Sequence, residues 1–220
     1  LIPDPNFEQA LIDLGYDTAP INGSVPTATI SGVTTLNVQE RNIADLTGIE
    51  DFTALTELYC GSNQLTNLDV SNNSELNYLY CDNNQLTSLD VSNNTALTRL
   101  NCGSNQLTNL DVSQNTALTK FSCEDNQLTN LDVRQNTALY RLFCNDNQLT
   151  NLDLFNNTNL QTFKCENNQL TTLDLTNLVG LANLQCYSNQ LTSIDLRNNP
   201  LTGLKNNEFV SRFFVSNNPD

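Results

Sequence analysis

Leu55-Thr56-Glu57-Leu58-Tyr59-Cys60-Gly61-Ser62-Asn63-Gln64-Leu65-Thr66-Asn67-Leu68-Asp69-Val70-Ser71-Asn72-Asn73-Ser74-Glu75 ends where Leu76 starts the same pattern again. The frame returns from Leu97, Leu118, Leu139, Leu160 and Leu181. Cys60, Cys81, Cys102, Cys123, Cys144, Cys165 and Cys186 stand 21 residues apart, and Asn63, Asn84, Asn105, Asn126, Asn147, Asn168 and Asn189 keep the same interval. A fixed period of about 20–50 residues marks a solenoid. One unit of this size cannot bury its own apolar face, so neighbouring units stack and share one core. A solenoid presents a broad surface, which favours binding over chemistry.

The triplet Leu58-x-Cys60 alternates inward and outward as a short strand does, and coils stacked in register predict a parallel sheet. Phe121 and Phe163 replace Leu58-type residues and keep that slot apolar. Asn63 falls where the chain must turn, and its amide suits the backbone groups that burial leaves without partners. Leu68-Asp69-Val70 repeats the alternation about ten residues on, which predicts a second short extended segment on the opposite side. The unit leaves no room for a full helix.

This pattern, L-x-x-L-x-C-x-x-N-x-L followed by L-x-x-L-D-V-x-x-N, resembles the bacterial 21-residue class of leucine-rich repeats called IRREKO. The likeness covers residues 33–204 and implies a right-handed coil with a parallel concave sheet. Val33-x-x-Leu36-x-Val38 with Ile43-Ala44-Asp45-Leu46 forms a 22-residue unit that resembles an internalin repeat, with Arg41 in the Asn slot. Seven units of 21 residues follow it. The start Ile2-Pro3-Asp4-Pro5-Asn6-Phe7 resembles secreted leucine-rich-repeat proteins of Bacteroidetes-type bacteria. Together these resemblances imply a secreted or cell-surface bacterial protein.

The two ends must differ from the middle, because an open stack exposes its core. Asp4 before Pro5 is a good helix cap and first turn, and Gly15 is a good stop. Phe7, Ala10, Leu11 and Leu14 recur at helical spacing. A capping helix is expected over residues 4–14 and a loop over 16–32, so that residues 1–32 form an N-terminal cap. At the other end the register slips at Leu201 and Leu204, and Phe209, Val210, Phe213, Phe214 and Val215 are expected to close the last coil over 205–220. The chain has no Met, and we expect a processed piece of a protein that continues past Asp220.

Composition narrows the partners. A formal net charge of −15 repels nucleic-acid phosphates and anionic membranes, and no apolar run is long enough to cross a bilayer. With no His, there is no imidazole base and no His-containing triad or metal site. No Gly-rich phosphate loop is present. Glu124 and Asp125 are two acids side by side, but they sit in a repetitive strand-to-turn segment rather than flanking a cleft as glycosidic chemistry needs. The chain is therefore expected not to be an enzyme and to need no cofactor.

Three sets of side chains remain. The seven cysteines lie on a ladder that never brings three or four ligands to one point, as a metal site requires, and their side chains point the same way into the core. They are expected to be free, buried packing groups. Asp69, Asp90, Asp111, Asp132, Asp153, Asp174 and Asp195 form an outward ladder whose stacked charges repel. Hydrogen bonds from the adjoining Thr66-type and Ser71-type residues would offset that repulsion, and so would calcium, which prefers carboxylate oxygens.

The third set lies where the copies disagree. One outward strand column runs Glu57, Tyr78, Arg99, Lys120, Arg141, Thr162, Asn183, and the next runs Tyr59, Tyr80, Asn101, Ser122, Phe143, Lys164, Gln185. Asp82, Glu124, Asp125, Asp146, Glu166 and Tyr187 follow the cysteines. The opposite half is nearly constant. Aromatic and Arg side chains are the usual anchors of interfaces, although they also suit a plain strand face. Tyr59, Tyr78, Tyr80, Arg99, Lys120, Arg141, Phe143, Lys164 and Tyr187 are thus the expected binding residues, for a protein or glycan ligand. The Tyr-rich end suits a sugar ring and a protein side chain equally. A structural spacer or adhesin stalk, calcium-stabilised or not and without a dedicated ligand, is the alternative.

Overall fold

Every repeat begins with a strand in which one buried residue stands between two half-buried ones. Leu58, Leu79, Leu100, Phe121, Leu142 and Phe163 are the buried members, and the residues flanking each of them face outward. The computed structural model describes residues 1–195. Its strands, in chain order, are β1 Thr35–Asn37, β2 Glu57–Tyr59, β3 Tyr78–Tyr80, β4 Arg99–Asn101, β5 Lys120–Ser122, β6 Arg141–Phe143, β7 Thr162–Lys164, β8 Thr172–Asp174, β9 Asn183–Gln185 and β10 Ser193–Asp195. β1 to β7 and then β9 form one eight-stranded parallel sheet. The register is unbroken, since each residue pairs with its equivalent in the next repeat, as in Leu58 with Leu79 and Leu79 with Leu100. Sequence period and strand pairing are the same quantity seen twice.

The inside of the coil is a stack of apolar rows. Leu55-, Leu58-, Leu65-, Leu68- and Val70-type residues and all seven cysteines are buried. Turns at the end of each strand are set by backbone shape. Ser62, Asn83, Ser104, Asp125, Asp146, Asn167 and Ser188 all have φ between 52° and 55° or 56°, the left-handed region that Asn and Asp tolerate better than most residues. The identities in this column therefore follow from the turn.

Two asparagine ladders tie the coils together. In the first, the Asn84 amide donates to the carbonyls of Cys60, Cys81 and Asp82, while its oxygen accepts the N–H of Leu65. In the second, the Asn94 amide donates to the carbonyls of Val70 and Asn73, at 2.9 Å each. Asn115, Asn136 and Asn157 repeat this geometry. Buried backbone carbonyls on both sides of the coil thus find donors in the neighbouring coil.

The extended segments expected opposite the main sheet pair as a regular ladder only at β8 and β10 among the described residues. In earlier coils the second asparagine ladder links this side instead. It ends where the Asn157 position is taken by buried Leu178, and β8 begins with the β-branched Thr172, which suits a strand.

The N-terminal helix α1, Pro5–Asp13, caps the stack. Asp4 Oδ1 accepts the N–H groups of Asn6 and Phe7, and its Oδ2 accepts those of Ala44 and Asp45 in the first coil. Phe7, Ala10 and Leu11 are buried, and the Phe7 ring stacks on Phe52 at 6.4 Å. Leu14 is exposed, contrary to its helical spacing, because it is the residue that ends the helix. Residues 16–32 are not all loop: α2, Thr27–Ile30, adds one turn that buries Ile30. Glu8 is also buried, and its carboxylate accepts the N–H groups of Asn22 and Gly23, which fastens this segment to α1. The closing residues Leu201, Leu204, Phe209, Val210, Phe213, Phe214 and Val215 lie outside the described residues.

Candidate functional site

The outward residues of β2 to β7 gather the aromatic and basic side chains on one sheet face. Strand register makes Arg99, Lys120 and Arg141 direct neighbours across β4, β5 and β6. It also places Phe143 beside Lys164 and Tyr59 beside Tyr80. The Tyr59 and Tyr80 rings stack with centroids 5.1 Å apart. The Tyr59 hydroxyl donates to Glu57 at 2.9 Å, and burial with the adjacent carboxylate pushes its pKa up to about 12.

Each cation leans on a ring. Arg99 lies 4.4 Å from the Tyr78 centroid, Lys164 lies 4.7 Å and Arg141 5.5 Å from that of Phe143, and Lys120 lies 5.6 Å from that of Tyr140. Contacts at these distances are favourable by about 0.5–1 kcal/mol each when exposed. Tyr140 was not singled out by its sequence, although it is the one ring in a column of Thr56, Asn77, Thr98, Thr119, Gln161 and Ala182. That departure was the available signal. A hydrogen bond to Lys120 and the nearby charges of Lys120, Arg141 and Arg99 lower its pKa.

The acidic residues after the cysteines are less free than their outward position suggests. Glu124 folds back over Gly103, where a Cβ would lie 2.8 Å from its carboxyl carbon. Burial, with Asp82 and Asp125 nearby, raises its pKa. Asp125 accepts from the Ser104 hydroxyl at 3.0 Å, and Asp146 accepts from the Asn167 amide at 2.7 Å. Tyr187 lies beyond β9, away from the cluster of β2 to β7.

On the other side of the coil, the Asp69-type carboxylates each accept the N–H two residues on, at 2.8–3.0 Å, as in Asp69 with Ser71 and Asp111 with Ser113. These bonds lower the pKa values of Asp69 and Asp90. Arg134 adds an ion pair to Asp132 at 2.6 Å and takes its pKa down to about 2. The ladder therefore has a hydrogen-bonding role in shaping the turns. The cysteines are free, and burial raises their pKa values well above that of an ordinary thiol.

No protein-family model matches this chain, and no curated protein matches it. Solved structures do. A functional domain of InlJ from Listeria monocytogenes, described as including a cysteine ladder, is 35% identical over 92% of this chain and 54% of its own, with a TM-score of 0.55. Internalin C2 from Listeria monocytogenes aligns over 92% of this chain and 91% of its own at 23% identity and a TM-score of 0.79, a likeness of fold. The plant peptide hormone receptor RGFR1, solved in complex with RGF2, is 25% identical over 65% of this chain and 26% of its own, with a TM-score of 0.58. The chain thus spans about half of the InlJ domain. Its fold is a leucine-rich-repeat solenoid of the internalin type, and the neighbours that share it include bacterial repeat proteins and a peptide receptor.

Proposed function

We propose that this chain is a non-catalytic recognition module that holds a protein or glycan ligand against its main strand face. The observation that carries the proposal is the continuous run of rings and cations from Tyr59 to Lys164, on the one side of the coil where the repeats differ. Tyr59, Tyr78, Tyr80, Arg99, Lys120, Arg141, Phe143 and Lys164 are its contact residues, with Tyr140 added and Tyr187 at the margin. A receptor of the same fold solved with a peptide hormone supports a protein partner over a glycan. A secreted or surface location accords with the internalin-like repeats, as does a place among the IRREKO-type and Bacteroidetes-type repeat proteins. No helix among the described residues is long and apolar enough to cross a membrane.

Protein and glycan arrays probed with the chain would identify a ligand. Tyr80→Ala, Arg141→Ala and Phe143→Ala should then each weaken binding by about 1–2 kcal/mol or more, the range of interface anchors. Binding left unchanged by all three, in folded variants, would remove the strand face from consideration. An array without specific hits would favour a stalk.

A further inference from the structure

The row Arg99–Lys120–Arg141 places like charges directly opposite one another in register, an arrangement that destabilises a sheet. At the strand spacing of about 4.8 Å, each neighbouring pair repels by just under ~1 kcal/mol in water. Acidic side chains outnumber basic ones 24 to 9 in this chain, yet none relieves the row. Among the described residues the ion pairs are Arg41 with Asp13 and Arg134 with Asp132, both elsewhere. The head groups rest on rings instead, with Lys164 continuing the positive run beside Phe143. The lowered pKa of Tyr140 reports the same local positive potential.

We infer that this row receives an acidic peptide segment of a partner protein, with carboxylates at Arg99, Lys120 and Arg141 and an aromatic or aliphatic side chain on the stacked Tyr59–Tyr80 pair. The inference rests on the strand-face reading above and specifies its ligand. Five strand steps from β2 to β7 span about 24 Å, which an extended peptide covers in roughly seven residues. A peptide fits better than a uniformly charged polyanion. The cationic row is bordered by Asp82, Glu124 and Glu166 and ends at rings on both sides, so a ligand must alternate charge with apolar surface.

A random heptapeptide display library panned against the whole chain tests this without a known ligand. Enriched peptides should carry two or more Asp or Glu with an aromatic or aliphatic residue to one side. Their affinity should fall about tenfold or more between 50 and 500 mM NaCl, as screening shortens the reach of the charges. The variant R99Q/K120Q/R141Q should lose at least tenfold in affinity while its melting temperature holds or rises, since repulsion has been removed. Enriched peptides without acids, still lost in Y80A or F143A, would overturn the acidic ligand and leave the strand-face reading intact. Peptides indifferent to both sets of variants would overturn both readings. No enriched peptide, or binding to a heparin column alone, would overturn the peptide assignment.

Discussion

Asn126 and Asn136 are both held between coils, yet they carry different loads. The Asn126 amide donates to Cys102, Cys123 and Glu124 carbonyls, and its oxygen accepts the Leu107 N–H. Asn136 donates to two carbonyls, and its own oxygen is buried without a hydrogen-bond partner. Leaving buried groups unpaired costs about 1–3 kcal/mol each at most. Asn126→Ala should therefore destabilise by roughly 3 kcal/mol and Asn136→Ala by about half as much, read from urea melts of the two variants. Equal losses would contradict the bonding pattern.

The aspartates supply a pH signature at the same scale. Folding lowers the pKa values of Asp69, Asp90 and Asp132 from 3.8, the last to about 2. A carboxylate with a depressed folded pKa contributes stability that is complete above its unfolded value and is lost as pH falls through the folded one. Stability should thus hold down to about pH 4 and decline between there and about 2, by small steps because these groups are exposed. Asp132→Asn should flatten part of that decline in acid melts followed by circular dichroism. We also expect millimolar calcium to leave the melting temperature unmoved, since each carboxylate already has a backbone donor; a rise of several degrees would point to a cation on the ladder.

At the scale of elements, the cap is the part whose loss should spread. Asp4 closes the first turn of α1 with one oxygen and grips the first coil with the other. Asp4→Ala should cost about 2 kcal/mol, the upper range for a lost cap, and should raise amide exchange in α1 and β1 before any later strand. Much of this architecture could be read from residue types alone. Period gave strand register, and Asp4-Pro5 with Gly15 marked α1 almost to the residue. Other features were hidden for physical reasons. The second asparagine ladder shares its column with surface Asn residues, so nothing in composition separates Asn73, which is buried, from Asn72, which is exposed. α2 is a single turn, too short for periodicity to register. Asp125 and Asp146 read as outward acids, but their identity follows from a left-handed turn. The binding columns were visible as departures from the repeat, whereas the pairing of each cation with a ring depends on side-chain reach and was not.

For the whole molecule, the seven buried thiols offer something beyond packing. Each coil carries one, spaced evenly from Cys60 to Cys186, and burial keeps each protonated and shielded. Alkylation must wait for its own coil to open, so the ladder is a set of local clocks strung along the axis. A repeat array opens most readily where a coil has a neighbour on one side only. Iodoacetamide labelling followed residue by residue in a mass spectrometer should mark Cys186 soonest and Cys123 late, with Cys60 delayed by the cap. One shared rate for all seven would mean that the stack melts as a single cooperative body, and the solenoid would then behave mechanically as a rod rather than as a zipper.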